Sequence, residues 1–175
     1  MKEQIINSVN LYSGTNFPYL VLDVIGGNSY PRNAGFQTVH WHEDLQFVYV
    51  LDGTVTIKTL TESVTLEKGE GVFINKNVVH YIAKYDCRYN SFIFPDYFLK
   101  FYFGSPAENL VNRIVGQTAL QIYKFSPTVE WHKEVLSKLK ELSELEHNKD
   151  ELYSYHALYG NQEVSFLSLC KRKRV

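Results

Sequence analysis

The stretch HWHEDLQFVYVLDG, residues 40–53, decides how the rest of the chain is read. It opens with two imidazoles one residue apart. On an extended strand, residues two apart share a face, so His40 and His42 converge while Trp41 points away. The run from Leu45 to Leu51 that follows is apolar at nearly every position. Such a strand is covered on both faces, by a barrel interior on one side and by other structure outside.

Working outward, short runs rich in Val, Ile, Thr, Tyr and Phe fill residues 17–125, punctuated by GGNS, LDGT and EKGEG turns. Candidate strands are YLVLDVIG, FQTVHW, LQFVYVL, TVTIKTL, SVTLEK, GVFIN, VVHYIAKY, YNSFIF and ALQIYKF. Their close, regular spacing predicts a compact antiparallel β-barrel or sandwich rather than βαβ units. At 175 residues, 45% hydrophobic, the chain is long enough for one barrel-sized unit with an appendage. A formal net charge of −1 provides no global field to draw it onto phosphate backbones or anionic membranes. Cys87 and Cys170 stand far apart and outside any CxxC cluster, which reads as a reduced, cytoplasmic protein. The N-terminus lacks the apolar core of a signal peptide, and no run approaches the roughly 18 apolar residues of a membrane span.

The last third supplies the outer cover. Ser126 and Pro127 read as an N-cap and first helical position, after which Trp131, Val135, Leu139, Leu142 and Leu145 recur at helical spacing. Asn148 with Glu151 resembles a capping box opening a second helix, so residues 126–175 form a two-helix hairpin. A shorter helix is expected near Ala107–Ile114, and the basic ending KRKRV reads as a solvated tail. The apolar stripe of the first long helix fits either of two covers, the barrel wall or a second copy.

No nucleophile elbow or phosphate-cradling glycine loop is present, and Gly26–Gly27 reads as a hairpin turn. The histidines are the chemistry. His40, His42, the amide of Gln46 and a later His80 could meet across a barrel and bind a divalent transition ion, Zn, Ni, Mn or Fe, through neutral nitrogens.

Here a family resemblance enters. HWHEDLQFVYVLDG resembles the first cupin motif, with His40, His42, Gln46 and Gly53 on its positions. GEGVFINKNVVH resembles the second, with Gly69 and His80 matching, but Asn75 and Asn77 standing where proline and glycine are common. Residues 36–82 look still more like the N-terminal sensing domain of AraC-type transcription regulators. The resemblance implies a jelly-roll barrel over residues 1–125, including an N-terminal arm that can fold over the pocket. It places a dimerisation hairpin and linker in residues 126–175. DNA would be bound only through a helix-turn-helix module that this chain does not include.

The function implied is regulation. A small-molecule effector, sugars being frequent in the family, enters a pocket floored by His40, His42, Gln46 and His80 and walled by Phe36 and Val48. A homodimer forms through Trp131, Val135, Leu139, Leu142 and Leu145. The chain is expected not to be an enzyme. The alternative is a metal-dependent cupin enzyme, a dioxygenase or sugar isomerase, which needs an open coordination position and a placed acid or base. Two features count against it: a neutral amide at Gln46, where metal-dependent cupins usually carry glutamate, and the placing of Glu43 and Asp44 in a turn. The neutral amide favours a polar pocket floor over a working metal centre.

Overall fold

The computed structural model describes residues 5–33 and 35–171. The basic tail from residue 172 onward and the first four residues of the arm lie outside the described residues, as does the side chain of Cys170.

Among the described residues, nine strands join in one curled sheet: β1 Ile6–Asn7, β2 Leu20–Ile25, β3 Asn28–Tyr30, β4 His40–Trp41, β5 Leu45–Thr59, β6 Ser63–Glu67, β7 Gly71–Ile74, β8 His80–Phe94 and β9 Ile122–Phe125. A 3-10 turn at Asp96–Leu99 and helix α1, Pro106–Val115, precede β9; α2, Glu130–His147, and α3, Tyr153–Lys171, follow it. The expected barrel with a helical appendage is present, and α1 falls where the sequence placed it.

Two long antiparallel strands, β5 and β8, form the spine. The sequence shows each as a pair of strands, because turn-forming residues interrupt the alternation at Asp52–Gly53 and at Asp86. The structure runs through both interruptions without breaking the ladder, with register shifts between Val50 and Asp52 and between Thr56 and Ile57. An extra residue at the first reverses which parity faces inward, so Val48 and Val50 before the bulge, and Val55 and Ile57 after it, all fill the interior. Gly53 is needed at this bend. Its φ is +72°, and a Cβ would lie 2.2 Å from the carbonyl oxygen of Asp86 and 2.9 Å from Cα of Cys87. Gly53→Ala is therefore expected to cost about 2 kcal/mol or more, read as a lowered urea midpoint at unchanged slope.

The unbroken apolar run of β5 has the cause inferred for it. Val48 and Val50 point into the barrel with Leu22, Val72 and Ile93. Leu45, Phe47 and Tyr49 point outward into a second core shared with Phe73, Phe94, Phe125 and the helices. The α2 stripe is the lid of that outer core. Val135, Leu139 and Leu142 are fully buried within the chain, and Leu139 closes over Gly71, where a Cβ would meet its Cδ1 at 3.0 Å. Trp131 and Leu145 pack half-buried on the same core. The central apolar area of the stripe, Val135, Leu139 and Leu142, is thus covered by the chain's own sheet.

The helix starts also differ from expectation. α2 begins at Glu130, after a turn in which the Ser126 carbonyl accepts from the Val129 amide. The Ser126 amide donates to Nδ1 of His132 at 3.1 Å, so an imidazole ties this turn to the helix where a serine cap was expected. Asn148 closes α2 from behind, its side-chain amide donating to the Glu144 carbonyl, and Asp150 receives the Leu152 amide just before α3.

Candidate functional site

Strand pairing assembles the histidines. β4 is only two residues long, yet it sets His40 directly opposite His80 at the start of β8. His42 follows β4, its carbonyl held by the Asn77 amide at 2.8 Å. Asn77 has φ +62°, the left-handed conformation that explains why glycine is common at this position of the motif. The imidazole centroids lie 4.3 Å (His40 to His80), 5.1 Å (His42 to His80) and 6.0 Å (His40 to His42) apart. One ligand nitrogen from each lies within 4.8 Å of the others, and all three side chains are buried.

Each ring is oriented by the backbone. Nδ1 of His40 faces the Thr38 carbonyl at 2.7 Å, that of His42 the Asp44 carbonyl at 2.9 Å, and that of His80 the Val78 carbonyl at 2.9 Å. A carbonyl only accepts, so every Nδ1 carries the proton and every Nε2 presents a lone pair. Burial is the main force pushing His40 down to about 4, and it moves His80 well below the ordinary histidine value. The consequence is three aligned ring nitrogens facing one point, of which those of His40 and His80 need lose no proton to bind a cation.

Two features show what this donor set lacks. Nε2 of His80 is buried without any hydrogen-bond partner. Nε2 of His42 faces Oε1 of Gln46 at 3.0 Å, while Nε2 of Gln46 donates to Ser91 Oγ at 2.6 Å. Two acceptors facing each other repel unless the Gln46 amide turns over or a cation shares their lone pairs. A spacing of 3.0 Å also suits two donors about 2.1 Å from one ion with bonds near a right angle. The residues present therefore fit a divalent transition metal, with His40, His42 and His80 as donors and Gln46 as a neutral fourth.

The cavity they face measures about 20 Å³. That is room for one water molecule or one ion, since a single water-sized probe occupies roughly 10–15 Å³. A sugar does not fit it. Phe36 lines this cavity as expected, but Val48 does not, although it is on the interior face and pairs with Ser91, which does. The wall is made instead by Leu20, Ile82, Tyr89, Ser91 and Ile93, with Ser8, Asn10 and Asn33 from the arm and the loop after β3. Sequence reading did not reach Ser8, Asn33 or Ser91, because only long-range pairing brings them here. No carboxylate lines the cavity among the described residues.

The arm is seated on the histidine strand. β1 runs parallel to β4, with the Ile6 amide donating to the Val39 carbonyl and the Ser8 amide to the Trp41 carbonyl. Asn10 is buried and anchored to the Pro18 carbonyl.

Residues 29–86, which carry all four of these donors, match the family model for the cupin domain. The HTH-type transcriptional regulator YdeC of Bacillus subtilis (strain 168) is 27% identical over 131 residues, 68% of this chain and 41% of its own length. The chain thus spans less than half the length of that relative. Two solved structures share the fold of the barrel and its helices. The AraC-like transcriptional activator CuxR superposes with a TM-score of 0.52 at 8% identity, over 74% of this chain and 42% of its own. A ToxT variant from Vibrio cholerae strain SCE256 gives 0.50 at 16% identity, over 91% and 57%. No helix among the described residues is long and apolar enough to cross a membrane.

Proposed function

We propose that this chain is the effector-sensing part of an AraC-type transcription regulator, and that the effector site is the histidine cluster in the cupin barrel. The observation that carries this reading is the closure of that cluster by the N-terminal arm. Ser8 and Asn10 line the cavity, and the arm's two backbone bonds lie on the strand that carries His40. Whatever fills the cavity acts directly on the arm's seat, and an effector that favours the seated arm over the released one shifts their populations.

The effector class follows from size and donors. A divalent transition ion fits 20 Å³ and meets three imidazoles, Gln46 acting as a neutral oxygen donor. When bound, such an ion supplies positive charge and fixed donor directions to the pocket floor. A sugar-sized effector would require Phe36 and the arm to move outward. Catalysis is disfavoured, since the cavity holds no carboxylate to serve as acid or base. DNA recognition would fall to a module beyond this chain. For pairing with a second copy, an open apolar face is on the second helix of the hairpin, where Tyr155 and Tyr159 stand exposed four residues apart, with Leu152 exposed just before its start.

The test is thermal unfolding of the chain with Zn(II), Ni(II), Mn(II) and Fe(II), and with a panel of monosaccharides. At a hundredfold excess over Kd, one of the ions is expected to stabilise the fold by about 2.7 kcal/mol. A shift with sugars and none with any ion would overturn the metal assignment. No response to either class would overturn the sensing role of the cluster.

A further inference from the structure

On the helical side of the sheet, a cleft of about 80 Å³ opens between the end of the 3-10 turn, α1 and α3. Leu99, Phe101, Leu110 and Ile114 form one wall, Ser165 and Phe166 the other. It is four times the size of the histidine cavity and shares no lining residue with it.

The cleft is apolar except for two side chains. Gln162 is committed, its amide donating to the Phe98 carbonyl at 2.8 Å. Ser165 is not: the residue is 2% exposed and its hydroxyl has no partner. A serine inside a helix ordinarily bonds the carbonyl four residues back. Ser143 does so with Leu139 and Ser168 with Val164, so Ser165 departs from what its neighbours do. At the mouth, Phe101 and Phe166 leave their rings 69% and 65% exposed, large apolar surfaces unusual to find together in water.

We infer that this cleft binds a small neutral molecule with an apolar body and a single hydroxyl or carbonyl head. The head meets the Ser165 hydroxyl, and the body lies between Phe101 and Phe166. Among the described residues no charged side chain lines the cleft, so an ionised head would be left uncompensated. A size of 80 Å³ selects a single ring or short alkyl chain over a docked helix. Because its walls belong to α1 and α3, an occupant ties the hairpin to α1.

The experiment uses 4-ethylphenol and ethylbenzene, one body with and without a hydroxyl, followed by amide chemical shifts in the whole chain. Both probes are expected to give saturable shifts confined to cleft residues, the phenol binding about tenfold tighter. Ser165→Ala should erase that difference and leave ethylbenzene binding intact. Ala107→Phe, at a half-exposed position on the wall, should block both probes without unfolding the chain. His80→Ala should change neither, which separates this site from the histidine cluster. Three results would overturn the inference: no saturable shift, a phenol preference that survives Ser165→Ala, or cleft shifts that follow protein concentration without any probe. The last would assign the cleft to a second copy.

Discussion

In the His80→Ala variant, affinity for a divalent transition ion is expected to fall more than about a hundredfold. Removing even an outer partner of a metal-bound histidine costs 10- to 100-fold, and His80 would be a direct donor. Its position explains the size of the effect. The side chain is 1% exposed, the Val78 carbonyl fixes its ring, and its Nε2 has no protein partner to lose. Alanine leaves His40 and His42 as a two-nitrogen site with a hole beside it. Gln46→Glu should move affinity the other way, since a carboxylate adds negative charge beside the three imidazoles. The same change buries a charge when no ion is present, so the metal-free variant should be less stable than the parent. Competition against a chromophoric chelator measures both variants. If His80→Ala binds as tightly as the parent, the three imidazoles do not act as one site.

The parts of this site that were legible in sequence are those governed by local geometry. The spacing of His40 and His42 fixes a shared face, and the double-sided apolar run from Leu45 foretold a strand between two cores. Both hold because alternation along a strand is a local property. Gln46 and His80 came from the motif pattern and meet as that pattern implies. What could not be read depends on pairing across long sequence distances. Ser91 reaches Gln46 over 45 residues, and it lines the cavity where its pairing partner Val48 does not. The arm's contribution was expected in outline, yet Ser8 becomes a lining residue only through the parallel pairing of β1 with β4. The α2 stripe shows the limit most clearly. Helical periodicity proves that one face is covered, and Leu139 is covered by Gly71 of the same chain rather than by a partner. At α2, local signals at Ser126 and Pro127 lost to a tertiary one, because the His132 imidazole takes the Ser126 amide.

Acidifying the metal-free chain from pH 7 toward 4 is expected to remove about 3 kcal/mol of stability through His40 alone. Burial is the main reason its folded value lies near 4, below the ordinary 6.5; the neighbouring His42 lowers it further, and the hydrogen bond to Thr38 works against both. The sign follows from which state binds the proton. Below about pH 6.5 the unfolded chain takes one up at this histidine, while the folded chain refuses it until about pH 4. Stability is therefore complete above pH 6.5, declines through that window and levels off below it; 2.5 units at 1.36 kcal/mol each give the magnitude. His80 is lowered in the same direction, first by its own burial and then by repulsion from His40, so the two losses overlap rather than add. Urea unfolding at pH 7, 6, 5 and 4.5 measures the decline, and His40→Asn should make it shallower. A flat profile between pH 7 and 4.5 would mean that the imidazoles charge freely in the folded state. In that case Nε2 would not be held as a lone pair, and the same neutrality that makes the fold acid-sensitive could not make the site ready for a cation at neutral pH.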